Sequence, residues 1–131
     1  LYATYIPVIP RTSAKSCFLK KYSESLKKHK DFQHVYKKGS SYANKYLVMY
    51  VLENQTEGNR LGISVSKKVG NSIVRHRLTR LIRESYRLQE DMFSSGRDIV
   101  VIARGAAKGK NYRDIESALI HLARLHNIYK G

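Results

Sequence analysis

Residues 98–104, "DIVVIAR", hold five consecutive apolar side chains from Ile99 to Ala103. A β-branched run with no alternating polar face reads as a strand buried inside a sheet, so the rest of the chain must supply its neighbours. Candidates lie upstream. "SSYANKYLVMYVLEN" (40–54) is rich in β-formers and carries "AN" midway, which predicts a strand, a turn and a second strand. "RLGISVSKK" alternates Leu61, Ile63 and Val65 against Gly62, Ser64 and Ser66, the pattern of a half-buried strand. "QTEGN" between them is a polar turn.

Three stretches carry helical periodicity instead. In "DFQHVYKKG", Phe32, Val35 and Tyr36 fall at i, i+3 and i+4, and Gly39 marks a stop. A basic helix opens at "GNSIV", where Asn71 or Ser72 can cap it, and runs to about Leu88. "NYRDIESALIHLARLHN" closes the chain with Asn111 as cap and an apolar face of Ile115, Ala118, Leu119 and Leu122. The order is helix, strands, helix, strand, helix, α-β-β-β-α-β-α. That is an α+β (α/β) sandwich in which one mixed four-stranded sheet carries packed helices. We read residues 24–131 as this domain. Residues 1–23 hold both prolines and lack periodicity, and are taken as a flexible or vector-encoded extension.

Charge narrows the partners. Twenty-five Lys and Arg against ten Asp and Glu give a net charge of +15. A chain this basic should bind polyanions, either nucleic acid or an anionic membrane surface. The longest apolar run, Tyr46 to Leu52, is far short of the roughly 20 residues of a spanning helix. No secretory leader pattern is visible. A single cysteine, Cys17, permits no internal disulfide, and a cytoplasmic location is expected.

The charge is concentrated in "RHRLTRLIRE" (75–84). At about 100° per residue, counted from Arg75, His76, Arg80, Arg83 and Arg87 fall between about 80° and 140°. Val74, Leu78, Leu81 and Ser85 cluster near about 270° and should pack on the sheet. Arg75 and Arg77 flank the ridge. A solvated helix face normally alternates charge signs, whereas this one holds only Glu84, near its edge. Arginine also suits bidentate phosphate contact. Lys67, Lys68 and Gly70 precede the helix start, where free backbone N–H groups make a second anion site. Among the ten tyrosines and three phenylalanines, Phe32 and Tyr36 share a helix face, while Tyr46 and Tyr50 alternate on a strand. They are either core or a platform for unpaired bases.

We find no catalytic constellation. The carboxylates are scattered, and His29, His34, His76, His121 and His126 lack metal-ligand spacing. No catalytic residue and no protein-held metal is assigned. Four alternatives each make a distinct demand. A ribosomal protein would copurify with ribosomal RNA. A membrane-surface module needs an exposed apolar face. A DNA reader would carry Asn or Gln among its arginines, and residues 75–88 have neither. A self-sufficient nuclease needs a carboxylate cluster.

"DFQHVYKKG", "GISVSKKVGNSIVRHRLTRLIRE" and "DIVVIAR", in this order over residues 25 to 129, resemble the bacterial ribonuclease P protein subunit. The resemblance implies a ribosomal protein S5 domain 2-like fold with a left-handed βαβ crossover from "RLGISVSKK" to "DIVVIAR". It implies a ribonucleoprotein in which a catalytic RNA, with Mg²⁺ held mainly by that RNA, removes the 5′ leader of precursor tRNA. The protein alone would not be catalytic. Its partners would be the RNA subunit and precursor tRNA, with no membrane and no obligatory protein partner. Position by position, Lys67, Lys68, Arg75, His76, Arg77, Arg80, Arg83 and Arg87 would face the catalytic RNA. Phe32, Tyr36, Tyr50 and Tyr46 would line the leader cleft. The family's Arg-Asn-Arg triplet is Arg75-His76-Arg77 here, and Thr79 stands where a basic residue is common.

Overall fold

The computed structural model describes residues 3–4, 24–26, 28–54 and 58–130. Its elements are β1 (Ala3–Thr4), β2 (Glu24–Ser25), α1 (His29–Lys38), β3 (Ser40–Ala43), β4 (Leu47–Glu53), β5 (Arg60–Ser64), α2 (Ser72–Gln89), β6 (Arg97–Ala103) and α3 (Tyr112–Leu125). The apolar run does become the central strand. β6 pairs with β4 antiparallel on one side and with β5 parallel on the other. Ile99, Val100 and Val101 are fully buried. α2 is the crossover between β5 and β6, as a parallel pair requires.

β3 and β4 form the expected hairpin. Its turn is built by Asn44, whose Oδ1 accepts from the backbone N–H groups of Tyr46 and Leu47. β1 and β2 both pair with β5. Ala3–Thr4 of the N-terminal extension therefore joins the sheet, while the remainder of 1–23, Cys17 included, lies outside the described residues. The middle of the "QTEGN" turn, residues 55–57, does too.

The sheet is covered on both faces. Leu47, Met49 and Val51 of β4 point into the larger core, with Leu78, Ile82 and Tyr86 of α2 and Ile115, Leu119 and Leu122 of α3. Tyr50 and Leu52 point the other way, where Leu26, Phe32, Val35 and Val100 form a smaller core under α1. This second layer corrects the expectation for β5. It is buried on both faces rather than half-buried, because Phe32 covers its Gly62. A Cβ at position 62 would stand 2.6 Å from the Phe32 ring, so the absent side chain is the seat for that ring. Gly39 also acts through space. Its φ of −81° is not left-handed, but a Cβ there would lie 2.6 Å from the Val35 carbonyl oxygen.

α1 lacks a side-chain N-cap, and a charge network holds its first turn instead. Asp98 of β6 is 1% exposed and accepts from Arg60 Nε at 2.8 Å, from Arg60 Nη2, and from Asn54 Nδ2 at 2.8 Å. The same guanidinium reaches Asp31 in the first turn of α1 at 3.6 Å. A buried carboxylate is tolerable only with such donors. Asp98→Asn places an amide donor among donors, and we expect a stability loss of about 2 kcal/mol. A lower urea midpoint at unchanged slope would confirm it. A midpoint equal to wild type would mean that the network does not anchor α1.

Candidate nucleic-acid interface

α2 spans Ser72–Gln89, and the predicted cap is Asn71, whose Oδ1 accepts from Val74 N at 3.0 Å. Its buried face differs from the expected one. Leu78, Thr79, Ile82, Ser85 and Tyr86 are buried, while Val74 and Leu81 of the expected stripe are half-buried and pack against the larger core. On the same wheel the buried arc centres near about 340° rather than about 270°. The reason is that α2 is clamped from two sides, by the sheet and by α3, and Thr79 and Tyr86 face the core.

Three consequences follow for the arginines. Arg75 falls within the rotated arc and is half-buried, so it does not flank an open ridge. Thr79 is 3% exposed and returns its hydroxyl to the Arg75 carbonyl at 2.8 Å, so the threonine removes no phosphate contact. Arg87 is bound by Glu84, which accepts from its Nε and Nη2. That pair holds the Glu84 carboxyl below the usual carboxylate range and offsets the Arg87 charge. His76, Arg77 and Arg80 are exposed and Arg83 is half-exposed. Among the described residues no salt bridge engages Arg77, Arg80 or Arg83.

The turn before α2 presents Lys67 and Lys68 to solvent, pinned by Val69, which is buried and donates to the Ser66 carbonyl at 3.1 Å. Gly70 serves a packing need, since a Cβ there would come within 2.7 Å of the Val74 side chain. Arg77 Nη2 donates to the Lys110 carbonyl at 2.7 Å, which ties α2 to the loop before α3.

The second surface lies on the opposite face of the sheet. Tyr36 of α1 and Tyr50 of β4 meet edge to face, with ring centroids 5.0 Å apart, and both are half-exposed. Burial pushes the Tyr36 phenol up, and it shares a hydrogen bond with Ser64. Two expected members are not part of this platform. Phe32 is 2% exposed, so its ring faces are spent in the smaller core. Tyr46 sits in the hairpin turn rather than on β4 and packs against the larger core. The ammonium groups of Lys45 and Lys110 lie 5.8 Å and 5.4 Å from its ring centroid.

One residue that the sequence did not single out joins the arginine face. Tyr112, the first residue of α3, lines a groove along α2 with Ile73, Arg80, Leu81 and Arg83. Its hydroxyl donates to Glu116 at 2.8 Å. A tyrosine beside a helix cap carries no periodic signal, so only the packing of α3 on α2 reveals it. Among the described residues, no helix is long and apolar enough to cross a membrane. Nor do three His, Cys, Asp or Glu side chains among them gather where a metal ion could be held.

Comparison with known proteins agrees with this arrangement. The family model described as Ribonuclease P matches residues 20–126. The ribonuclease P protein component of Lachnoclostridium phytofermentans is 66% identical over 106 residues, covering 81% of this chain and 91% of that protein. That of Clostridioides difficile is 48% identical over 107 residues, covering 81% and 94%. Among solved structures, the Staphylococcus aureus RNase P protein superposes with a TM-score of 0.75 at 40% identity, covering 80% of this chain and 96% of that one. The Thermotoga maritima protein gives 0.73 at 31% identity, covering 78% and 96%. With its strand–lysine turn–arginine helix core and its sheet topology matched over this span, the chain belongs to the ribonuclease P protein family.

Proposed function

We propose that this chain is the protein subunit of a ribonuclease P, which helps a catalytic RNA remove the 5′ leader of precursor tRNA. The observation that carries this is the placement of two unlike surfaces on opposite faces of one sheet. Tyr36 and Tyr50 lie on the α1 face, and the arginines of α2 lie beyond the other. Two RNA segments can then be held at once without competing. The leader, being unpaired and variable in sequence, suits stacking on Tyr36 and Tyr50 rather than base-edge reading. The catalytic RNA suits Lys67, Lys68, His76, Arg77, Arg80 and Arg83, which neutralise phosphates and release counterions. Arg75 and Arg87 contribute less, one half-buried and the other offset by Glu84.

The protein's own chemistry is to bind and to screen. A charge of +15 lowers the repulsion between leader, tRNA and catalytic RNA. The side chains of the described residues do not fit a metal site, so we assign the Mg²⁺ of the reaction to the RNA and derive no step on the protein through it. No further protein partner is needed in this scheme, and its place is the cytoplasm, with its RNA partners.

The test is precursor-tRNA cleavage at low Mg²⁺ with a bacterial ribonuclease P RNA. We expect 5′-leader removal when protein and RNA are combined, and none with the protein alone. Absence of rescue, with tight binding to unrelated RNA, would sink the proposal in favour of a general RNA-binding role.

A further inference from the structure

The groove along α2 has two chemically different walls. On one side stand the guanidinium groups of Arg80 and Arg83, near about 140° and 80° on the helical wheel. On the other stand Leu81, near about 240°, and the ring of Tyr112 from α3, with Arg77 and Glu84 between the two near about 200° and 180°. Ile73 lines it too and is 77% exposed, burying almost nothing in the free protein. The groove measures about 600 Å³, within the roughly 300–1,000 Å³ of sites that take small ligands. A surface that met only phosphate oxygens would gain nothing from an isoleucine, a leucine and a tyrosine face.

We propose that this groove holds one unstacked nucleotide of the catalytic RNA, its base against Leu81 and Tyr112 and its phosphates on Arg80 and Arg83. The inference rests on the assignment of the α2 face to that RNA. A nucleotide has one flat, weakly polar face and one anionic side, and the two walls match them. Tyr112 is suited to present its ring. Its backbone is fixed directly after the Asn111 cap, and its hydroxyl is occupied by Glu116. Burial and that carboxylate push the phenol up to about 12, so it stays neutral at any working pH. Glu84 also lines the groove, and its pairing with Arg87 offsets its charge, so it leaves the phosphates to Arg80 and Arg83.

The experiment measures affinity of the full chain for a bacterial ribonuclease P RNA across a salt series. Losing a stacked base costs affinity without releasing fewer counterions. Tyr112→Ala should weaken binding about 5- to 100-fold with the salt slope unchanged. Tyr112→Phe should bind as wild type, and Tyr112→Leu, which keeps an apolar side chain but no ring, should lose affinity as the alanine variant does. Arg80→Ala is the control and should lower the slope by ~1. If Arg80→Ala lowers the slope but Tyr112→Ala and Tyr112→Leu bind as wild type, the nucleotide groove is overturned and the phosphate face stands. If the tyrosine variants lower the slope as well, the loss is of phosphate contacts, and the groove is again overturned. If Arg80→Ala changes neither affinity nor slope, the assignment of α2 to the catalytic RNA fails first.

Discussion

Phe32→Ala should lower stability by about 3–5 kcal/mol, and beyond stability it should touch leader binding only through the pose of Tyr36, whose ring centroid lies 6.4 Å away. The ring is 2% exposed and fills the space over Gly62, with its Cε1 and Cζ among the three atoms nearest to where a Cβ at 62 would stand. Leu26, Val35 and Val100 share its cluster, and no neighbour can collapse into the cavity without moving α1. Thermal melting should fall by more than about 10 °C for a domain of this size. Below the transition, leader affinity should stay within about threefold of wild type, since a loss of that order is within 1 kcal/mol. A variant with wild-type melting and abolished leader binding would show instead that Phe32 touches RNA directly.

That contrast shows where the sequence was readable. Periodicity placed Phe32, Val35 and Tyr36 on one face of α1, and the structure agrees. What it could not supply is depth, because a buried ring and a half-exposed ring three or four residues apart share the same stripe. Depth here is set by Gly62, which lies 30 positions away in sequence and lets Phe32 sink while Tyr36 stays at the rim. The same limit explains α2. Its helical extent and Asn71 cap were legible from local chemistry, but the direction of its buried arc depends on being held between the sheet and α3. So Arg75 read as a flank of the ridge although it falls within the buried arc, and Leu81, which packs against the core as expected, also helps line a groove. β6 needed no such help, because a run apolar on both faces can only be central. Asp98 at its head was invisible for the converse reason. Nothing in "RDIVV" says that Arg60, 38 residues earlier, will be its partner.

Removing both rings of the cleft, as Tyr36→Ala with Tyr50→Ala, should cost the largest share of leader affinity that any two side chains can. Stacking on an aromatic ring is worth about 1–3 kcal/mol per base. The two rings touch at a centroid distance of 5.0 Å, so their losses will not simply add, and each single change should already disturb the other's pose. We expect the double variant, reconstituted with a ribonuclease P RNA, to bind precursor tRNA about 10- to 100-fold more weakly. Mature tRNA, which has no leader, should bind as it does to the wild-type holoenzyme. Affinity for the RNA subunit and its salt slope should not move, because the proposed function assigns those contacts to the α2 side of the sheet, away from Tyr36 and Tyr50. Tyr36→Phe separates stacking from the Ser64 hydrogen bond and should retain most of the affinity. Equal losses for precursor and mature tRNA would place the leader elsewhere. A fall in the salt slope would mean that the cleft had been reached through displaced lysines of α1 rather than through its rings.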